Sequence, residues 1–102
     1  MKEFVLDGAT MTSKEAIYQQ LSRVFSFPTY FGHNLDAVWD LLMEEDEHIE
    51  IHFKHIALLV EHMDDYGEKL VKVFHNLEAI NRHYTVHFYS GDMRSGTKEI
   101  KE

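Results

Sequence analysis

The sequence predicts an α/β domain, a three-stranded parallel sheet packed with about four helices. Three observations lead there. Three short segments have the composition or the alternation of strands, helical periodicity fills the intervals between them, and those intervals are long enough for the crossovers that parallel neighbours require. Right-handed crossovers then lay the helices over the sheet. A chain of 102 residues with 44% hydrophobic and 13% aromatic residues has the material for one core without covalent staples.

Each element has its own warrant. Phe4-Val5-Leu6 is wholly apolar and closes on Asp7-Gly8, which predicts a strand buried on both faces. Thr12-Ser13-Lys14-Glu15 has the pattern of a capping box, and Ile17, Leu21, Val24 and Phe25 follow on one helical face until Phe27-Pro28 breaks it. Asn34 is a good N-cap for a second helix running to Glu44. After an acidic turn over 44–47, residues 48–54 alternate, with Ile49, Ile51 and Phe53 on one face and Glu50, His52 and Lys54 on the other. Ile56, Leu59, Val60 and Met63 return to helical spacing. Asp64-Asp65-Tyr66-Gly67 interrupts, and Leu70, Val73, Phe74, Leu77 and Ile80 mark a further helix. Residues 84–89 read as the closing strand. From Gly91 to the end the chain is polar with little to bury, so the expected division is a domain over 1–90 and a weakly ordered tail over 91–102.

Composition narrows the function. Lys and Arg number 10 against 18 Asp and Glu, a formal charge of −8 that argues against direct contact with nucleic acid phosphates or anionic membranes. Cysteine is absent, which removes disulfides, thiolate metal sites and a Cys nucleophile together. The first apolar run is too short for the core of a signal peptide, about 7–15 residues, and no apolar run approaches the ~20 that span a bilayer. A cytoplasmic protein is the expectation.

The second helix carries the most information. On a wheel of about 100° per residue, Asp40 lies ~40° and Glu44 ~80° from Asp36, while Val38 and Leu42 fall on the opposite side. Three carboxylates share one stripe, bordered by Trp39 and Met43. Like charges at i,i+4 cost a helix roughly 0.2–0.5 kcal/mol per pair, so the stripe is either one more solvated face or a binding surface. The loop before it, Thr29-Tyr30-Phe31-Gly32-His33, sets two aromatics and a glycine beside the helix N-terminus, as core plugs or as interface anchors.

The run Pro28-Thr29-Tyr30-Phe31-Gly32-His33-Asn34-Leu35-Asp36-Ala37-Val38-Trp39-Asp40 resembles the signature of the barstar family, intracellular inhibitors of a secreted guanyl-specific ribonuclease. The register extends to Asp7-Gly8 and to Val73-Phe74, so the likeness covers roughly residues 1–90. It implies a barstar-like fold and a monomer without cofactor, whose second helix and preceding loop plug a ribonuclease active site. The acid at Asp40 would stand in for a substrate phosphate, with Asp36 and Tyr30 supporting it. Phe31, Gly32, Asn34, Leu35, Trp39, Met43, Glu44 and Asn76 complete the implied partner-binding set. The chain departs from the family at three places. Phe31 replaces a frequent tyrosine and loses a hydroxyl; Met43-Glu44-Glu45 lacks the small polar and aromatic residues of the family's turn; and an acidic contact of the later helix aligns with neutral Asn76. Glu78 lies about 160° around the helix from Asn76 and does not substitute for it.

Two rival readings remain. The same fold could serve as an immunity or interaction protein for a different toxin or another partner with a basic groove. An enzyme would use Asp36 and Asp40 as an acid/base pair with His33, but no phosphate loop or nucleophile motif accompanies them. The eight histidines raise a metal site. Along one strand, His48 and His52, or His83 and His87, would stand about 13 Å apart, too far for one ion, and His52 with His55 has no evident third ligand. The expectation is no metal. His33, in the proposed binding loop, would add positive charge beside Asp36 when protonated.

Overall fold

The computed structural model describes residues 2–28 and 32–92. The chain order is β1 (Lys2–Asp7), a 3₁₀ turn (Gly8–Thr10), α1 (Lys14–Phe25), α2 (Leu35–Leu42), β2 (Ile49–Lys54), α3 (Ile56–Ile80) and β3 (Tyr84–Phe88). The sheet has the order β1-β2-β3 and is parallel throughout, as expected.

Among the described residues, helices cover one face of this sheet, not both. Right-handed crossovers that step in one direction through neighbouring strands all pass over the same side. The residues therefore alternate. Ile49, Ile51 and Phe53 on β2 and Tyr84, Val86 and Phe88 on β3 are buried with Leu6, whereas Glu3, Glu50, His52 and His87 point the other way. Val5 is 45% exposed, which corrects the expectation of a first strand buried on both faces.

The cap of α1 also differs from the expected box. Ser13, not Thr12, is the N-cap, and its hydroxyl accepts from the Ala16 N–H at 3.0 Å. Thr12-to-Glu15 spacing was one residue out of register with the helix start, so Glu15 serves only as a first-turn acid facing the helix dipole. α1 ends on Ser26 in the left-handed region, φ 58°, before Phe27. Buried Gln20 ties α1 to the end of β1: its carbonyl accepts from the Asp7 N–H at 2.7 Å, and its amide donates to the Asp7 carbonyl and the Thr10 hydroxyl.

There are three α-helices among the described residues rather than about four. The interruption at 64–67 is a kink inside α3, where Asp64 takes φ 51° and ψ −125°. The two halves cross closely. A Cβ on Gly67 would lie 2.9 Å from the Leu59 carbonyl, so only glycine allows the approach. The start of α3 has no side-chain cap; instead His55, Ile56 and Ala57 donate their N–H groups to the carbonyls of Gly91, Tyr89 and Ser90. Gly91 thus has a defined bond and Asp92 is half-buried, while residues 93–102 of the expected tail lie outside the described residues.

Candidate functional site

α2 is only eight residues long, so what holds it matters more than its propensity. Asn34 caps it as expected, accepting from the Ala37 N–H at 2.8 Å, and its own N–H donates to the Gly32 carbonyl at 2.9 Å. Val38 and Leu42 are fully buried beneath. At the other end, the Tyr84 hydroxyl of β3 donates to the Leu42 carbonyl at 2.7 Å. Burial, with the negative charge of Glu45 behind it, pushes that phenol well above its ordinary value and keeps the donor protonated.

With its inner side fixed, α2 presents Asp36 and Asp40 to solvent one turn apart. No Lys or Arg lies between Gly32 and Glu47, a stretch that also holds Glu44, Glu45 and Asp46; Lys2 reaches Glu47 at 3.6 Å. The segment itself is therefore strongly negative. Between α2 and α3 runs a groove of about 340 Å³ lined by Leu35, Asp36, Trp39, Val73, Asn76 and Ile80. Four of the residues singled out in the sequence therefore meet: Leu35, Asp36, Trp39 and Asn76. Trp39 is half-buried and packs on the core.

Other expected residues stand apart from that groove. Glu44 follows the end of α2 and lines, with Glu45, a separate hollow formed with Phe25, Phe27 and Pro28. Met43 is exposed, and its sulfur accepts from the Asn81 amide at 3.6 Å. Tyr30 and Phe31 lie outside the described residues. His33 stacks on Tyr18, ring centroids 5.5 Å apart, and the Tyr18 and Tyr66 hydroxyls are hydrogen-bonded, which links the loop before α2 to α1 and α3. Glu78 turns to the sheet and accepts from the Val86 N–H at 3.0 Å. It is committed there and leaves Asn76 as the polar group of α3 at the groove.

Ile80 was missed as a surface residue. Its helical spacing suggested core, yet it is 66% exposed at the rim of the groove. The signal was its place in the last residue of α3, where the helix outruns the sheet.

Comparison with known proteins agrees with this architecture. The family model described as Barstar (barnase inhibitor) matches residues 1–91. The chain belongs to the barstar family. A relative in Bacillus subtilis (strain 168), YrdF, whose name provisionally assigns it as a ribonuclease inhibitor, is 38% identical over 42 residues. That match spans 41% of this chain and 46%, about half, of the relative's length. Among the described residues no helix is long and apolar enough to cross a membrane.

Proposed function

We propose that this protein is a cytoplasmic, monomeric ribonuclease inhibitor that blocks a basic, guanyl-specific ribonuclease active site with α2. The observation that carries the proposal is the pairing of exposed Asp36 and Asp40 on a short helix fixed by the Asn34 cap, by Val38 and Leu42 below, and by Tyr84 at its end. A site built to hold RNA phosphates is positive. A rigid carboxylate presented to it gains charge-assisted hydrogen bonds and electrostatic steering, and offers no bond to cleave. Asp40 takes the role of the substrate phosphate; Asp36 supports it from the groove side, with Trp39 and Leu35 as the apolar floor and Asn76 as a neutral rim. Tyr30, Phe31 and Gly32 extend the contact from the loop, and Met43 and Glu44 from the far end.

One feature favours a second reading, a different toxin or basic partner for the same fold. The rim of α3 is Asn76 and exposed Ile80, less negative than a pure phosphate mimic needs. The test is direct. Titrating the protein into a barnase-type ribonuclease while following RNA cleavage should abolish activity at one equivalent; undiminished cleavage at micromolar inhibitor removes the ribonuclease reading and leaves the second.

A further inference from the structure

The open face of the sheet brings together histidines that sequence spacing keeps apart. In the parallel register His52 of β2 stands directly beside His87 of β3, and their rings stack with centroids 4.8 Å apart. Glu50, two residues before His52 on the same face, bonds His87 Nε2 at 2.6 Å. One donor atom from each of Glu50, His52 and His87 falls within 4.8 Å of the others. Glu3 of β1 adds a second carboxylate, its oxygen 3.7 Å from His52 Nε2. All four side chains lie on the side of the sheet opposite α2, away from the proposed inhibitor surface.

From this arrangement we propose a binding site for one divalent transition-metal ion of the zinc class, held by His52, His87 and Glu50 with Glu3 as the fourth ligand. Two imidazoles and carboxylate oxygens are a donor set that zinc accepts, and tetrahedral bonds of about 2.0–2.1 Å ask for donors some 3.3–3.4 Å apart. The observed spacings bracket that value. An ion replaces the proton shared by His87 and Glu50, widening the pair from 2.6 Å, while side-chain rotation draws the more distant donors in. A second observation fits a ligand. The Tyr89 hydroxyl lies 3.0 Å from His52 Nδ1, so that nitrogen can donate to the phenol oxygen and leave the Nε2 lone pair free to coordinate; orienting a metal-bound imidazole through its other nitrogen is a general feature of such sites. The strands also hold these groups on a rigid scaffold, so binding need not order a loop.

The experiment uses the whole chain after treatment with a chelator. Zn²⁺ binding is measured by calorimetry and Co²⁺ binding by its visible absorption, on the wild type and on His52→Ala, His87→Ala, Glu50→Gln and Tyr89→Phe, with His62→Ala on α3 as control. Circular dichroism establishes that each variant is folded. Expected is one equivalent bound by the wild type and by His62→Ala. Affinity should fall about tenfold or more in His52→Ala and His87→Ala, and by roughly tenfold in Tyr89→Phe; the shape-preserving Glu50→Gln should also weaken it. Absence of saturable binding overturns the proposal. So does binding that survives both histidine substitutions unchanged, since other histidines would then hold the ion. Neither result bears on ribonuclease inhibition.

Discussion

Removing the cap of α2 tests how the proposed inhibitor surface is held. In Asn34→Ala the side-chain oxygen that accepts from the Ala37 N–H at 2.8 Å is lost, and the N–H faces solvent at the start of an eight-residue helix. Loss of such a cap costs about 1 kcal/mol, within a range of roughly 0.5–2. For a domain of this size each kcal/mol corresponds to a shift of about 4–8 °C in Tm. Val38 and Leu42 stay buried, so the helix should remain docked and only its first turn should loosen. Urea unfolding followed by circular dichroism reads the global cost, and amide exchange reads the local one: the Ala37 amide should lose protection while the amides of β2 keep theirs relative to the new global stability. Asn34→Asp restores the acceptor and adds a negative charge at the positive end of the helix, so it should recover the loss. A cost below about 0.3 kcal/mol for the alanine variant, or an aspartate variant no more stable than alanine, refutes the role given to the cap.

Further expectations concern the other supports of the site. Tyr84→Phe leaves the Leu42 carbonyl with only the longer bond from the Glu45 N–H at 3.4 Å and should cost about 0.5–1.5 kcal/mol in urea melts; a neutral result would show that α2 does not depend on this anchor. Burial, and for Tyr18 also its bond to Tyr66, raises the folded-state pKa of Tyr18 and Tyr84 above the unfolded value. The folded state then holds these protons more tightly, so their contribution is complete below about pH 10 and is lost as pH rises past it. Stability should therefore fall between about pH 10 and 12 in the wild type and fall less steeply in Tyr84→Phe; equal slopes contradict the assignment. Asn76→Asp puts a second carboxylate in the groove with Asp36. It should raise the association rate with a basic ribonuclease about two- to fivefold at low salt, the equivalent of up to ~1 kcal/mol for an exposed charge, and the gain should vanish at high salt; a rate that is unchanged at low salt argues against groove contact.

Much of the fold was legible because it rests on local periodicity. The alternation from Ile49 to Lys54, the Asn34 cap and the separation of Asp36 and Asp40 from Val38 and Leu42 all follow from the spacing of residues along a single element. What could not be seen depends on how distant segments meet. His52 and His87 are neighbours only through the register of β2 and β3, and distances along one strand concealed them. Val5 is exposed because every crossover passes over the same side of the sheet, which its own apolar neighbours do not reveal. The interruption at Asp64 was visible, but not that Gly67 lets the chain cross back against Leu59 within one helical element. Among the site residues, the acid stripe was a local property; its meeting with Asn76, Val73 and Ile80 required the packing of α3 on α2.

The central claim is that Asp40 presents a phosphate-like charge to a ribonuclease. Binding of a barnase-type ribonuclease is therefore compared between the wild type, Asp40→Ala and Glu61→Ala, an exposed acid on α3. Truncating one partner of a buried, hydrogen-bonded charge pair costs about 2–5 kcal/mol, a range to which measurements on barnase and barstar themselves contribute. Asp40→Ala should raise Kd by about thirtyfold or more with the fold unchanged by circular dichroism, while Glu61→Ala leaves it within about twofold. Equal affinities of the two variants would contradict the claim.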